Sequence, residues 1–427
     1  RPPSEGMTPS QIVQGFLDAS ASFEGDHAVA RQYLTSSAAS LWRPTEHVVV
    51  YDGVIDMGSL NEYTVVASVQ SFAAIDDRGV LKVTTPPRKV PVTFTLATED
   101  GEWRISTPPE GLLLSRDDVD RSFRTYNVYF FNQALDTLVP DPRMFPVQGS
   151  GMATTLMREL MTGPSTWLAP AVRTAMPDGE TLAIDAVPVE SGVARVDLTQ
   201  QAVLLDEQSR RALSAQIGWT LRQVVGLNAV DLRVGGQPLT VSGVPAPQPV
   251  ESWLTLNPDA PLPDDVVYAL SGGRAIALSP GGTSLLPGGS GDGQVALSGI
   301  GVSSRARQVA AVDQVGTLWR GDLYEGSPLY QVVGESGLSQ PQFDVSGNIW
   351  TLGPQGVPRV VTPSNNATTV RLEGFPMGAT IVDLSLSTDG ARAALIVQRG
   401  PRRVLMLARV GISDAAGGAG ARAHPPA

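Results

Sequence analysis

The chain has 427 residues, 42% of them hydrophobic and 17% charged, so it is long enough for about two to four folded domains. Its formal net charge of −11 argues against broad binding to nucleic acid or anionic membranes, because both need a basic surface. It has no cysteine, which excludes disulfides, thiolate zinc sites and thiol catalysis.

The first segment begins with a well-marked helix, TPSQIVQGFLDASA. Thr8 is the predicted N-cap, Pro9 stands at the first helical position, and Gln11 is placed for a capping box. We expect two shorter helices in AVARQYL and SSAASLW. The strand-like segments that follow are HVVVYDG, EYTVVASVQSF, GVLKVTT, KVPVTFTLA and EWRISTPP. Helices followed by antiparallel strands indicate an α+β domain, in an order similar to the NTF2-like cone.

The second segment has the order β-α-β-β-α-β, which predicts a small α/β sandwich. RTYNVYFFNQ is the first strand, and GMATTLMRELMTGP is a helix that ends at Gly163-Pro164. TLAIDAVPVESGVARVDLT predicts a hairpin that turns at Ser191-Gly192. DEQSRRALSAQIGWTLRQVVG is the second helix, and AVDLRVGG is the last strand.

After a proline-rich stretch, short strands recur at a period typical of propeller blades. Three segments align on Ala306, Gly347 and Gly390, at spacings of 41 and 43 residues. We count three blades and part of a fourth, with LSTDGARAAL (386–395) in the last ordered one. We therefore expect an incomplete propeller with an open end that exposes strand edges and apolar surface. A closed ring of six or more blades would contradict this count.

The predicted fold class is multidomain: an α+β NTF2-like cone, an α/β sandwich and an all-β partial propeller. The net charge lies wholly in the part before the propeller, which makes that part the expected binding surface for a basic partner. The predicted boundaries are 1–118 for the cone, 119–243 for the sandwich, 244–263 for a proline-rich linker, 264–412 for the partial propeller and 413–427 for a disordered tail.

Candidate catalytic or metal-binding groups are few, and each has a structural interpretation that we prefer. The histidines are interpreted as structural, surface or tail residues, GSGMATT (149–155) as the start of a helix, and GGSGDG (288–293) as a flexible loop. Neighbouring acids are interpreted as solvated, and Asn366-Ala367-Thr368 as a chance sequon. The residues concerned are His27, His47, His424, Asp117, Asp118, Asp264 and Asp265.

We therefore predict no enzyme activity, no catalytic residues, no metal and no cofactor. The one residue proposed for an interaction is Trp253, because it is the only tryptophan in the proline-rich linker. It is a candidate anchor at a domain interface.

The order of long motifs resembles the actinobacterial lipoprotein LpqB family over residues 1–412. The motifs are GMTPSQIVQGFLDASASFEGDHAVARQYLT, EWRISTPPEGLLLS, NVYFFNQ, LMTGP, VARVDLT, AQIGWTLRQVVGLNAVDLRVGGQ and LSQPQFDVSGNIWTL. Residues 126–235 are similar to the GerMN domain. The chain departs from the family pattern in two ways, since it lacks a signal peptide with its lipidated cysteine and its propeller region is short.

This resemblance implies an extracytoplasmic protein on the outer face of the cytoplasmic membrane, held by an N-terminal lipid anchor that is absent from this chain. It implies a non-enzymatic accessory that binds the extracellular domain of an MtrB-like sensor histidine kinase and affects cell-wall homeostasis and division. The alternative is a module that binds a cell-wall or lipid ligand in the NTF2-like cavity. An enzyme is the third hypothesis.

Overall fold

The computed structural model describes residues 1–147, 151–257, 266–303, 307–332, 334–413 and 418–424, and only the main chain for 412–413 and 418–424. These residues form two compact units. The first contains Arg1–Val128 and Pro142–Glu159, and the second contains Tyr129–Asp141 and the chain from Leu160 onward. Several features of the sequence analysis lie outside the described residues: Ala306, Asp264, Asp265, the first two residues of GSGMATT, the side chain of His424, residues 258–263 of the predicted linker, and residues 414–417 and 425–427 of the predicted tail.

The first unit is a five-stranded sheet with helices packed on one face, which we call the inner face. Its elements are α1 (Pro9–Ser20), α2 (Ala28–Arg31), α3 (Ser36–Leu41), β1 (His47–Asn61), β2 (Thr64–Asp76), β3 (Leu81–Glu99), β4 (Glu102–Thr107), β5 (Leu112–Ser115) and α4 (Arg116–Ser122). The sheet order is β4-β3-β2-β1-β5, antiparallel except for the β1–β5 pair. The predicted capping box is present, since Gln11 N donates to Thr8 Oγ1 and Thr8 N donates to Gln11 Oε1.

The sequence predicts two strands where the structure has the single long strand β3. The prolines at 86 and 87 suggest a break, but residues 84–87 leave the ladder as a bulge and pairing resumes beyond them. Val83 pairs with Ala73, and Arg88 pairs with Ser71. A bulge lets prolines, which cannot donate a main-chain hydrogen bond, lie within a continuous strand.

The region after the first sheet contains β6 (Phe123–Phe131), β7 (Leu138–Pro146), α5 (Met152–Thr162), β8 (Val189–Glu190), β9 (Val193–Leu198), α6 (Glu207–Leu221), β10 (Ala229–Val234), β11 (Gln237–Pro238) and β12 (Gln248–Pro249). Strands β8 to β11 form one sheet in the order β11-β10-β9-β8, and β12 also pairs with β10. Both predicted helices are confirmed, as is the turn at Ser191-Gly192, where both residues have positive φ.

Two strand predictions in this region were wrong. β7 was missed because the segment LVPDPRMFP contains three prolines and suggests a loop. The first arm of the predicted hairpin is only two residues long as a strand, Val189–Glu190. Its earlier part runs beside β9 through isolated bonds, such as Ala183 N to Asp197 O at 2.8 Å.

The chain from 266 forms four small sheets in the described residues, which we call blades 1 to 4. Blade 1 is β13 (Val267–Ser271), β14 (Arg274–Ser279) and β15 (Gly282–Leu285), and the short helix α7 (Gly289–Asp292) follows it. Blade 2 is β16 (Leu297–Val302), β17 (Gln308–Asp313), β18 (Leu318–Asp322) and β19 (Tyr330–Gln331). Blade 3 is β20 (Ser339–Phe343), β21 (Ile349–Leu352), β22 (Pro358–Val361) and β23 (Ala367–Thr369). Blade 4 is β24 (Arg371–Glu373), β25 (Thr380–Leu386), β26 (Arg392–Arg399), β27 (Arg402–Ser413) and β28 (Gly418–His424).

The predicted blade turn in LSTDGARAAL joins β25 to β26 in blade 4, the last blade of the chain that the structure describes. The predicted tail differs from the structure, because Gly418–His424 pairs with β27 as strand β28. This pairing uses main-chain bonds, which a low-complexity sequence can form as well as any other. GGSGDG also differs from the predicted flexible loop. It forms α7, where a Cβ on Gly291 would lie 1.9 Å from Leu286 O.

Candidate interaction surfaces

Trp253 is buried in the second unit, with 4% of its surface exposed. It packs on α6 beside Gly218, where a Cβ would lie 3.3 Å from Trp253 Cδ1. Trp219 Nε1 donates to Trp253 O at 2.8 Å, and the Arg211 guanidinium lies 5.1 Å from the Trp253 ring centroid. The side chain thus fixes the segment after β12 to α6. An external partner would reach only its small exposed fraction, and a role in partner binding stays a prediction.

The acidic charge is concentrated in the first part of the chain. Residues 1–120 contain 9 basic and 17 acidic residues, whereas residues 121–263 contain 10 and 13. Most of the acidic residues in 1–120 are exposed, namely Glu5, Asp18, Glu24, Asp26, Glu46, Asp52, Asp56, Glu62, Asp77, Asp100, Glu110, Asp117 and Asp120. The first unit therefore presents an acidic surface.

Some acids of this unit have structural partners and others are available to a ligand. Glu99 accepts from Ser36 N at 3.1 Å, and Glu102 accepts from Gly6 N at 3.0 Å. Asp118 lies in the first turn of α4, where its carboxylate accepts from Ser115 Oγ and pairs with Arg121 Nη2, both at 2.6 Å, and Asp117 takes part in neither bond. By contrast Glu46, Asp100 and Asp120 are exposed, and their carboxylates make no ion pair with the described residues. They are three of the exposed acids of this unit that can meet a cationic partner.

The inner face of the first sheet is filled with side chains. Phe16 of α1 lies 5.1 Å from the Trp42 ring and 6.0 Å from the Phe94 ring, both measured between centroids. His27 is 4% exposed and stacks near Phe23, and burial lowers its pKa below the usual value. His47 begins β1 and is half-buried. His27 is thus part of the packing on this face, whereas the interpretation of His47 as structural or surface stays a prediction, and the packed face leaves little room for a ligand.

A small cleft lies within the second unit, where turns of blades 3 and 4 meet the loop after β6. Its wall includes residues 132–134 on one side and Asp344–Ser346 with Asp389–Gly390 on the other. Two arginines of blade 4 also bond to the preceding domain, since Arg392 donates to Pro140 O in β7 and Arg409 donates to Trp167 O after α5. The turn within LSTDGARAAL therefore also fastens the propeller region to the preceding domain.

The same kind of turn, stabilised by an aspartate side chain, occurs in blades 2 and 3. In blade 3, Asp344 Oδ1 accepts from Ser346 N and Asn348 N, both at 2.9 Å, and Oδ2 accepts from Trp350 Nε1 at 2.9 Å. In blade 2, Asp313 binds Val315 N, Thr317 N and Trp319 Nε1 in the same way. The carboxylate satisfies the turn amides and orients a tryptophan, so these acids are structural.

No group of three or more His, Asp or Glu side chains in the described ranges is placed to hold a metal ion. No helix there is both long and apolar enough to cross a bilayer. The sequon residue Asn366 is exposed in the turn before β23.

Comparison with known families accounts for most of the chain. Residues 2–120 match the model described as "Lipoprotein LpqB, N-terminal domain", and residues 127–240 match "Sporulation and spore germination", the GerMN-type model. Residues 273–422 match "Lipoprotein LpqB beta-propeller domain". The predicted class of three successive modules is thereby confirmed.

Curated relatives agree with these models. Lipoprotein LpqB of Cutibacterium acnes is 30% identical over 429 residues, covering 95% of this chain and 71% of that protein. Lipoprotein LpqB of Thermobifida fusca is 32% identical over 326 residues, 73% of this chain, and the chain spans 52% of its length. The solved tandem GerMN domains of GerM from Bacillus subtilis are 19% identical and cover 36% of this chain and 59% of their own. Their TM-score of 0.26 is too low to support an argument. The chain belongs to the lipoprotein LpqB family.

Proposed function

We propose that this chain is the extracytoplasmic part of a lipoprotein on the outer face of the cytoplasmic membrane. We propose further that it is a non-enzymatic accessory that binds the extracellular domain of an MtrB-like sensor histidine kinase and so modulates envelope signalling, cell-wall homeostasis and division. The relatives are named lipoproteins. The lipid anchor would lie outside this sequence, which has no cysteine to carry it.

The observation that carries the binding proposal is the acidic surface of the first unit. Exposed carboxylates without ion-pair partners attract a basic surface at long range and accelerate association. Such an interaction weakens as salt is added, because charges more than about 8–10 Å apart are screened at physiological ionic strength. A partner that binds here should therefore present arginine or lysine and should bind less well in high salt.

A charge-reversal experiment tests this proposal. The full chain and the variant Glu46→Lys/Asp100→Lys/Asp120→Lys are titrated against the purified sensor domain at low and at physiological salt. If each exposed pair contributes about 0.5 kcal/mol, the triple variant should bind about tenfold more weakly. Its salt dependence should also be shallower.

The matched control reverses three exposed acids of the second unit, Asp178→Lys/Asp292→Lys/Glu325→Lys. It changes the net charge by the same amount, so it should bind like the wild type if the first unit holds the site. Equal losses in both variants would mean that only net charge matters. Absence of binding by the wild-type chain at micromolar concentration in low salt would remove the proposal. The NTF2-like cavity is not proposed as a ligand site, because Phe16, Trp42 and Phe94 fill that face.

A further inference from the structure

One end of the blade array is formed by the turns that join β17 to β18, β21 to β22 and β26 to β27. Gly337 N donates to Val315 O at 2.9 Å, which places the blade 2 turn beside the start of β20. β20 and β21 are antiparallel, so the blade 3 turn that follows β21 lies at the same end. A Cβ on Gly356 of that turn would lie 2.1 Å from Ile381 O, near the start of β25. β25 and β26 are antiparallel as well, so the blade 4 turn completes this end.

This end of the array lies opposite the preceding domain. The turns at the other ends of the same strands contain Asp344–Ser346 and Asp389–Gly390, which form the cleft with residues 132–134. The loop 374–379 leads into β25 and therefore belongs to the same end as the three turns. We call residues 314–317, 353–357, 374–379 and 399–404 the blade rim. The blade rim is thus turned away from the domain to which blades 3 and 4 are fastened.

Each segment of the blade rim exposes one large apolar side chain. Met377 is 91% exposed, Val315 69%, Val404 48% and Val357 39%. Because these side chains stand on four separate segments, they form protruding apolar tips instead of one continuous sheet face. Side chains of this kind can enter the boundary between lipid headgroups and acyl chains, where no matching groove is needed.

The blade 4 turn adds three exposed arginines, Arg399, Arg402 and Arg403. None of them makes an ion pair with a residue that the structure describes, and Arg403 Nε donates to Gln398 Oε1 at 3.3 Å. Arg399 and Arg402 pair directly across the hairpin, so two positive charges lie side by side. Like charges at opposed positions destabilise a strand pair, and an anion bound beside them would reduce that repulsion.

The blade rim contains no acidic residue, since its four segments read QVGT, GPQGV, GFPMGA and RGPRRV. The acids beside it in sequence or in the fold are already bound to other groups. Asp313 accepts from the amides of its own turn, Glu335 pairs with Arg359 at 3.0 Å, and Glu373 pairs with Arg371 at 4.0 Å. The blade rim is therefore a locally basic surface in a chain whose net charge is −11.

We propose that the blade rim docks on an anionic phospholipid bilayer. Its apolar tips enter the headgroup boundary, and its three arginines bind lipid phosphates, which a planar guanidinium can hold through two parallel hydrogen bonds. The proposal rests on the membrane location proposed above, but its test supplies the bilayer directly and does not involve the sensor kinase. A soluble acidic protein or polymer would bind the arginines without using Met377, so this residue distinguishes a bilayer from either of them.

The test is sedimentation of the full chain with vesicles of phosphatidylcholine alone or of equal parts phosphatidylcholine and phosphatidylglycerol, at low and at physiological salt. The wild type should bind the vesicles that contain phosphatidylglycerol, and less well as salt is added. Arg399→Gln/Arg402→Gln/Arg403→Gln should lower the partition coefficient at least about tenfold. Met377→Asp should lower it about tenfold, because the apolar tip is lost and a charge that the lipid repels replaces it.

The matched control removes three exposed arginines outside the blade rim, Arg88→Gln/Arg173→Gln/Arg195→Gln, and should bind vesicles like the wild type. Since the chain has no cysteine, Met377→Cys can be labelled at one site with a dye that reports the polarity around it. Val225→Cys is the control label, because Val225 is 94% exposed and lies outside the blade rim. The dye at 377 should shift to the blue on vesicles that contain phosphatidylglycerol, and the dye at 225 should not.

Circular dichroism of each variant verifies that it is folded. The proposal would be overturned if the wild type did not bind anionic vesicles in low salt, if the rim arginine variant bound as well as the wild type, or if both dyes shifted equally. Binding to soluble polyglutamate as tight as binding to vesicles, and unchanged in Met377→Asp, would identify a site for acidic polymers instead of lipid. Titration against the sensor domain is a separate measurement, so failure of one proposal leaves the result for the other intact.

Discussion

The aspartate turn of blade 3 leads to a prediction whose size follows from the structure. We consider Asp344→Asn, which keeps the shape of the side chain and removes its charge. Oδ1 can still accept from the amides of Ser346 and Asn348. The new NH₂ group replaces Oδ2, which now accepts from Trp350 Nε1 at 2.9 Å and Asn348 Nδ2 at 2.8 Å. The new NH₂ group would then face two other donors, Trp350 Nε1 and Asn348 Nδ2, and neither hydrogen bond could form.

The magnitude depends on which of these donors can reach water. Trp350 is 1% exposed, so its N–H would lose its partner inside the core. Asn348 is half-buried and can turn its amide outward. A buried donor left without a partner costs about 1–3 kcal/mol, and a charge-assisted bond contributes about 1.5–3 kcal/mol. We therefore expect Asp344→Asn to lower the free energy of unfolding of the second unit by about 2–3 kcal/mol.

The matched variant is Asp313→Asn in blade 2, which has the same turn and the same bond to a tryptophan. Trp319 is only half-buried, so its N–H can bind water instead, and the expected loss is about 1 kcal/mol or less. Urea unfolding gives the free energies, and hydrogen exchange of residues 339–352 locates the effect. Equal losses in the two variants, or no loss in Asp344→Asn, would refute the argument from burial.

Three further predictions concern packing and pH. Burial lowers the pKa of His27, so the folded state favours the neutral form, and stability should fall as pH drops below the unfolded value of about 6.5. The melting temperature of His27→Asn should decrease less between pH about 7.5 and about 5.5 than that of the wild type. Gly301→Ala would put a Cβ 2.1 Å from Pro341 O and should cost about 2–3 kcal/mol in urea unfolding, whereas Gly58→Ala meets nothing and should be near neutral. Trp253→Ala should cost about 3–5 kcal/mol by the same assay, and an unchanged stability would contradict its place in the core.

Local signals in the sequence predicted local structure well. The capping box of Thr8 and Gln11 needs only residues three apart, and the turn at Ser191-Gly192 needs only two adjacent ones. The continuity of strand β3 could not be predicted from local signals. Whether a chain continues as a strand past two prolines depends on the partner strand, and Ser71 and Ala73 of β2 lie more than ten residues away in sequence.

The candidate site was predictable only in part, for the same reason. The uneven charge is a property of composition, so the acidic first part was visible without a structure. The burial of Trp253 could not be predicted from the sequence, because a proline-rich stretch indicates a spacer. In the structure, α6 and distant residues such as Tyr129 bury this tryptophan. The bonds from Arg392 and Arg409 to the preceding domain span about 240 residues or more, and no local pattern predicts them.

Blade 4 has the sequence of a strand layer that is covered on both faces. In β26 the run Ala393-Ala394-Leu395-Ile396-Val397 is apolar at every position, where a half-exposed strand would alternate apolar with polar residues. Only the odd-numbered positions are fully buried, against blade 3. The even-numbered ones lie on the opposite face, together with exposed Asp383, which pairs with Ile396, and exposed Arg403, which pairs with Gln398. The continuous apolar run is therefore typical of a strand between two layers, and the charged neighbours Asp383 and Arg403 reduce the apolar area that this face presents to water.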